Sequence, residues 1–210
     1  MGRFITFEGT EGGGKTTQIG LLAERIRKLG HAVRVLREPG GTPMGEEIRH
    51  TLKHSDQSQA MTPEAELLLM NASRAQLVRE IIRPALAAGE IVLCDRFSDS
   101  TIAYQAYGRG LDLNQVQSII DFAVGETRPD LTLILHVPIS VSESRRQVRQ
   151  STAAPQRDRF EESGRAFFER VEQGYLALAA SDPKRIRLID AIKSIDEVAE
   201  QVWQSVRPLL

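Results

Sequence analysis

Residues 9–16 read GTEGGGKT, and the reading of this stretch decides the fold. Four of its eight residues are glycine. Gly9, Gly14, Lys15 and Thr16 occupy the fixed places of the pattern G-x-x-x-x-G-K-[ST], with Thr10, Glu11, Gly12 and Gly13 between them and Thr17 after them. Before it stands the apolar run RFITFE (3–8), which reads as a buried strand. After it, residues 15–29 read as a helix with Ile19, Leu22, Ile26 and Leu29 on one face. Strand, glycine turn and helix form the context in which the pattern carries chemistry. Glycines let the backbone close tightly with its N–H groups pointing inward, and those donors join the helix N-terminus in an anion cradle. Lys15 is placed to reach outer phosphates and Thr16 to hold Mg²⁺, so a nucleoside triphosphate is the expected ligand.

Outward from this turn, short apolar runs alternate with amphipathic ones. AVRVL (32–36), IVLCD (91–95), LTLILHV (131–137) and RIRLI (185–189) read as further strands. Helices are expected near 45–54, from the Thr62-Pro63-Glu64 start to about 88, over 112–125, from Ser140 to about 150, over about 161–180, and from Ser194 onward. Ser140–Glu143 and Ser194–Glu197 have the spacing of capping boxes. Residues 151–159, with Pro155, read as a loop. Strands alternating with helices imply an α/β chain with a five-stranded parallel sheet flanked by helices. Apolar runs without alternation suggest strands covered on both faces. Ligands of such sheets bind beyond the carboxyl ends of the strands, where Gly9, Glu38, Asp95 and the loop after Val137 emerge. No linker divides residues 1–210, so a single domain is expected.

The 210 residues include 27 Lys+Arg and 28 Asp+Glu, a net charge of −1 that argues against a nucleic-acid or membrane-surface coat. The one cysteine, Cys94, permits no intramolecular disulfide and reads as buried packing in a strand. With no signal-peptide run and no membrane-length apolar stretch, a cytoplasmic protein is expected. His31, His50, His54 and His136 lack metal-site spacing. Trp203 shares a helical stripe with Ile195, Val198, Ala199, Val202 and Val206, and reads as core.

A phosphate-binding turn leaves a kinase, a GTP switch and a mechanical ATPase open. No Asn-Lys-x-Asp run reads guanine, and nearly every segment is used in one core, which favours a small kinase. A kinase with a phosphorylated acceptor must hold two polyanions end to end, work suited to the planar, permanently charged arginine fork. Arg37, Arg74, Arg96, Arg109, Arg145, Arg146, Arg149, Arg157 and Arg159 are the candidates, at positions expected to be loops. Arg96 stands out, because it follows the strand-end Asp95 at the mouth of the sheet.

The segments FITFEGTEGGGKTTQ (4–18), REPGGTP (37–43), SRAQLV (73–78), DRF (95–97), DSTIAYQAYGRG (99–110), RPDLTL (128–133) and DRFEE (158–162) together resemble bacterial thymidylate kinases, in order and over essentially the whole chain. The resemblance implies a P-loop NTPase fold with a mobile lid at about 149–160, a homodimer, and transfer of the γ-phosphoryl group of ATP to dTMP. It implies that Lys15, Thr16 and Thr17 bind ATP phosphates and Mg²⁺, and that Asp95 organises metal-bound waters. Glu8 is implied near the acceptor phosphate or such a water, and Arg96 on the dTMP phosphate. Arg74 is implied on a thymine carbonyl, Ser100, Thr101 and Gln105 along the base edge, and Tyr104 beneath the sugar, with Glu38 and Arg49 in the same pocket. Met70 stands where the family commonly stacks a phenylalanine, which puts the strength of base stacking in question. Glu11 has two readings: a solvated acid at the start of a helix, or, by resemblance, the mark of an enzyme whose catalytic cation comes from the lid, as Arg149, Arg157 or Arg159. The apolar face of Ile119, Ile120, Phe122 and Ala123 reads as an ordinary core helix, part of which would meet a second subunit if the chain is a dimer. The acceptor oxygen is already anionic, so no general base is expected.

Overall fold

β1 (Arg3–Glu8) lies at the centre of a parallel five-stranded sheet whose order is β2-β3-β1-β4-β5, with β2 at Val33–Arg37, β3 at Ile91–Asp95, β4 at Leu131–His136 and β5 at Ile186–Asp190. The computed structural model describes residues 2–55, 58, 60–152, 160 and 163–210. Phe7 pairs with Asp95 and Arg37 with Asp95, so β1, β2 and β3 end level and deliver Glu8, Glu38 and Arg96 to one edge.

Alternation along β1 sorts its side chains. Ile5 and Phe7 pack under α1 (Lys15–Lys28) and α9 (Ile195–Val206), together with Ile19, Leu22, Ile26, Val198, Val202 and Trp203. Phe4 faces the other layer, with Leu77, Val78, Phe97 and Ile120. Thr6 and Glu8 share that second face by the two-residue period, which sends the Glu8 carboxylate towards the helices following β3.

The expected helices are present with shifted bounds. α2 runs Pro43–Lys53 and α3 runs Pro63–Leu77, each with a threonine cap, Thr42 on Gly45 and Thr62 on Ala65. α3 continues through a π-helical turn, Val78–Ile82, into α4 (Arg83–Ala87), which accounts for the single long helix read there. α6 is Leu113–Val124 and α8 is Arg165–Ser181. At α9 the Ser194–Glu197 capping box is formed. Ser140 lies inside a helix rather than before one: α7 begins at Ile139, where Pro138 O accepts from Val141 and Ser142, and runs to Thr152, past the expected end. The remainder of the loop read at 151–159 lies outside the described residues.

Further readings give way to the structure. The sheet is not covered throughout: edge strands β2 and β5 expose Val35 and Leu188, whereas β1, β3 and β4 are buried almost end to end. The segment after β3, read as no element, is α5 (Ser98–Thr101) running into a π-helical stretch, Ile102–Gly108. Its packing against α8 allows this: Gly174 sits so close to Ala103 and Tyr107 that a Cβ there would meet both at 3.0 Å. Trp203 is core as expected, but Ile195 on the same stripe is exposed.

Candidate active site

The turn 9–16 answers first to the sheet. Gly9 has φ +122°, and a Cβ there would lie 2.4 Å from the Leu135 carbonyl of β4. Gly14, with φ +84°, has open space around it and begins α1 with no side-chain cap and no acid in the first helical turn. No side chain caps the first N–H groups of α1, as an anion cradle requires. Lys15 is buried, and its ammonium donates to Gly9 O and Thr10 O, both at 3.0 Å. Burial and the Arg96 cation bring its pKa down to about 8, against the opposing pull of Asp95 and Glu11. The Thr16 hydroxyl points at Asp95 Oδ2, 3.4 Å away.

Arg96 has φ +70°, the one non-glycine residue with positive φ among those described. A bulky residue in the left-handed region is held there by its surroundings. Here its N–H bonds Phe7 O at 2.9 Å, and its guanidinium is gripped from four sides. Nη1 donates to Ser100 Oγ (3.0 Å) and Tyr175 Oη (3.1 Å); Nη2 donates to Glu11 Oε1 (2.8 Å) and Tyr104 Oη (3.1 Å). Tyr104 Oη in turn donates to Glu11 Oε2 at 2.9 Å. Glu11 is thus neither solvated nor idle. Burial pushes its pKa up, but Arg96 and Lys15 outweigh burial and hold the carboxyl at about 2.

Behind this cluster, Glu8 is fully buried. It accepts from Phe97 N (2.8 Å), Ser100 Oγ (2.5 Å) and Tyr175 Oη (3.0 Å). Burial first, and the nearby Asp99 carboxylate second, raise its pKa to about 7. Glu8 lines neither of the two cavities described below; it anchors the residues that do.

One cavity opens over the glycine loop and is bordered by Gly12, Gly14, Lys15, Thr16, Thr17, Arg49 and Asp95. The other lies beside it and is bordered by Met70, Arg74, Ser100, Thr101, Tyr104, Gln105 and Phe160. Glu11, Glu38, Lys53 and Arg96 border both. Most of the predicted residues are therefore brought together around the two cavities. Arg49 faces the loop cavity and bonds Pro39 O at 2.9 Å. Arg157 and Arg159 lie outside the described residues, as does the side chain of Arg149, whose backbone belongs to α7.

Several arginines do other work. Arg74 and Arg145 stand on helices, not loops. Arg74 is buried, and its N–H groups are committed to Glu38 (2.8 Å), Asn71 (3.0 Å), Thr101 (2.9 Å) and Phe97 O (3.0 Å). Glu38 Oε1 is left buried without a partner on the wall between the cavities. Arg109 pairs with Glu66, Arg37 with Glu46, and Arg145 ties the loop's Gly12 O to Ala191 O. No site role is assigned from the sequence to Tyr175, Lys53 or Phe160. Tyr175 reads as one more apolar position of α8, and only the packing of that helix turns its hydroxyl onto Glu8 and Arg96.

No helix among the described residues is long and apolar enough to cross a membrane. Residues 7–202 match the sequence profile of the family described as thymidylate kinase. A thymidylate kinase of Syntrophotalea carbinolica is 50% identical over 204 residues, covering 97% of this chain and 94% of its own. One from Synechococcus sp. (strain JA-2-3B'a(2-13)) is 49% identical over 207 residues, covering 99% and 95%. The crystal structure of thymidylate kinase from Ehrlichia chaffeensis superposes with a TM-score of 0.78 at 34% identity, over 98% of each chain. The chain belongs to the thymidylate kinase family, phosphotransferases that pass the γ-phosphoryl group of ATP to dTMP.

Proposed function

We propose that the loop cavity takes ATP, that the adjoining cavity takes dTMP, and that the chain transfers the γ-phosphoryl group between them. The observation that carries this is the shared wall: the two cavities meet at Glu11, Glu38, Lys53 and Arg96, so phosphates entering from either side converge on one guanidinium. On this reading the N–H groups of residues 9–17 bind the triphosphate, and Lys15 exchanges the carbonyls of Gly9 and Thr10 for phosphate oxygens.

The Thr16 hydroxyl and Asp95 carboxylate are hard oxygen donors side by side at the cradle's mouth, a set that suits Mg²⁺ with phosphate and water completing its shell. When bound, the ion neutralises charge on the transferring group. Arg96, with its fork already aimed by Ser100, Tyr104, Tyr175 and Glu11, holds the dTMP phosphate in line. Exchanging the Glu11 carboxylate for a phosphate oxygen on Nη2 needs no movement of the arginine backbone. Met70 packs against the base, Tyr104 lies under the sugar, and Arg74, Thr101 and Gln105 surround the base edge. The acceptor oxygen is anionic, so catalysis is positioning and charge neutralisation without a general base. A lid over 149–160 supplies Arg149, Arg157 or Arg159 to the transferring group and excludes water. The exposed Phe122 on α6, 86% accessible, is the centre of the face offered to a second copy of the chain.

The test is a coupled ADP assay with ATP and Mg²⁺ against dTMP, dUMP, AMP, CMP, GMP and thymidine. ADP release that requires both dTMP and Mg²⁺ is expected. A chain that binds ATP yet releases ADP at the same rate with and without every acceptor would be a nucleotide switch instead.

A further inference from the structure

Glu66 stands on α3 one turn before Met70 and two turns before Arg74, so the three share the helix face that borders the acceptor cavity. Its side chain is 0% exposed. The carboxylate accepts Gln105 Nε2 at 2.8 Å, and Arg109 Nε and Nη2 at 3.2 and 3.0 Å. Arg109 is steadied in turn by the Phe167 ring, whose centroid is 4.5 Å from its guanidinium carbon.

A carboxylate paired with a guanidinium offers lone pairs and no proton, so it can face only the NH₂ end of a glutamine amide. Turning the amide would press its oxygen against a carboxylate oxygen in a buried place, two acceptors with no hydrogen between them. Gln105 is 1% exposed, and water does not relieve that contact. The polarity of this amide is therefore set by Glu66. With Nε2 held at Glu66, the end of the amide turned away from that carboxylate is the carbonyl oxygen Oε1, and Gln105 lines the cavity. Thr101 is fixed in the opposite sense: its oxygen accepts from Arg74 Nη1, so its O–H remains a donor on the same wall.

We infer that Glu66, neutralised by Arg109, is a positioning residue that locks Gln105 with its acceptor towards the base, so that the site selects a pyrimidine bearing a ring N3–H and rejects cytosine. The inference rests on the reading of this cavity as the nucleoside monophosphate site. Thymine and uracil present N3–H between two carbonyls, the complement of an acceptor beside a donor. Cytosine presents a bare N3 beside an amino group, which sets acceptor against acceptor and donor against donor. A site built to hydrogen-bond one edge rejects the other because its own buried groups are left unpaired.

The experiment is a calorimetric titration of the wild type, Glu66→Gln and Arg109→Gln with dTMP, dUMP and dCMP, with the melting temperature of each protein recorded. Glutamine at 66 can present either end of its own amide, so Gln105 becomes free to turn and offer N–H to cytosine. The wild type is expected to bind dUMP at least about tenfold more tightly than dCMP, and in folded Glu66→Gln that ratio is expected to fall at least about fivefold. Arg109→Gln should move the ratio the same way. A wild type that binds dCMP as well as dUMP overturns the inference, as does a folded Glu66→Gln with the wild-type ratio. If Glu66→Gln does not fold, the wild-type ratio and Arg109→Gln decide in the same terms. Because the readout is binding, wild-type protein that prefers dUMP to dCMP but turns over no dTMP would sink the transfer reading alone. A wild type that binds none of the three sinks both.

Discussion

Glu11 Oε1 accepts from Arg96 Nη2 at 2.8 Å, and this ion pair joins the glycine loop to the end of β3 across the line where the two cavities meet. The pair is largely buried, with side chains 17% and 16% exposed. Its loss leaves a guanidinium short of its anion, so Glu11→Gln is expected to destabilise the protein by about 1–3 kcal/mol in urea unfolding. The folded pKa of about 2 lies below the ordinary glutamate value of 4.5, so the stabilisation is present above about pH 4.5 and is lost as pH falls towards 2. Over that window the melting temperature of Glu11→Gln should depend on pH less steeply than that of the wild type. Parallel curves would contradict the pairing.

Glu8 titrates in the other direction. Its folded pKa of about 7 lies above 4.5, so the folded state holds the proton more tightly. Stability on its account is present below about pH 4.5, falls as pH rises, and carries the full cost of the buried charge above about pH 7. Glu8→Gln removes that titration. The melting temperature of the variant relative to the wild type should therefore be higher at about pH 8 than at about pH 5. An equal difference at both, or the reverse order, would show that Glu8 is ionised throughout.

Arg96 is held in a strained left-handed conformation by Phe7 O on its backbone N–H and by four side chains on its guanidinium, which fits a functional position. Arg96→Ala is expected to lower kcat/KM for dTMP by at least about 10², with the far-UV circular dichroism unchanged. Turnover near the wild-type value in a folded variant would remove Arg96 from the mechanism.

The glycines of the loop are not equivalent. Gly9→Ala would drive a Cβ to 2.4 Å from Leu135 O, backbone against backbone, at φ +122°. It should cost at least about 3 kcal/mol or prevent folding. Gly14→Ala meets nothing within 4 Å and suffers only from φ +84°, so about 1–2 kcal/mol is expected. Urea unfolding of the two variants gives the order directly, and a Gly14 variant as damaged as the Gly9 variant would refute it.

The ligand-facing framework was legible in the sequence because local rules govern it. A glycine turn between strand and helix, five apolar runs, threonine caps at 42 and 62, and the Ser194 box each act over a few residues. What was hidden depends on packing between distant segments. Residues 98–108 became helical against α8, and Gly9 answers to β4 at Leu135 as much as to any phosphate. Glu11 found its cation in Arg96, 85 residues away, and Tyr175 reaches Glu8 across 167. Glu66 did leave a trace in the sequence, since it precedes Met70 and Arg74 at helical spacing, but a charged residue inside an apolar helix declares its use only when Gln105 and Arg109 close on it. The edge strands misled because a short apolar run carries no record of whether a neighbour covers its second face.

On the proposed function, two nucleotides lie with their phosphates meeting at Arg96. A single molecule joining adenosine and thymidine through a five-phosphate chain tests it most directly, by titration calorimetry with competition against each nucleotide. Binding at one molecule per chain, exclusion of both ATP and dTMP, and an affinity at least about 10²-fold above that of either nucleotide alone are the predicted result. Exclusion of ATP with dTMP still able to bind, at an affinity no better than that of ATP, would contradict it.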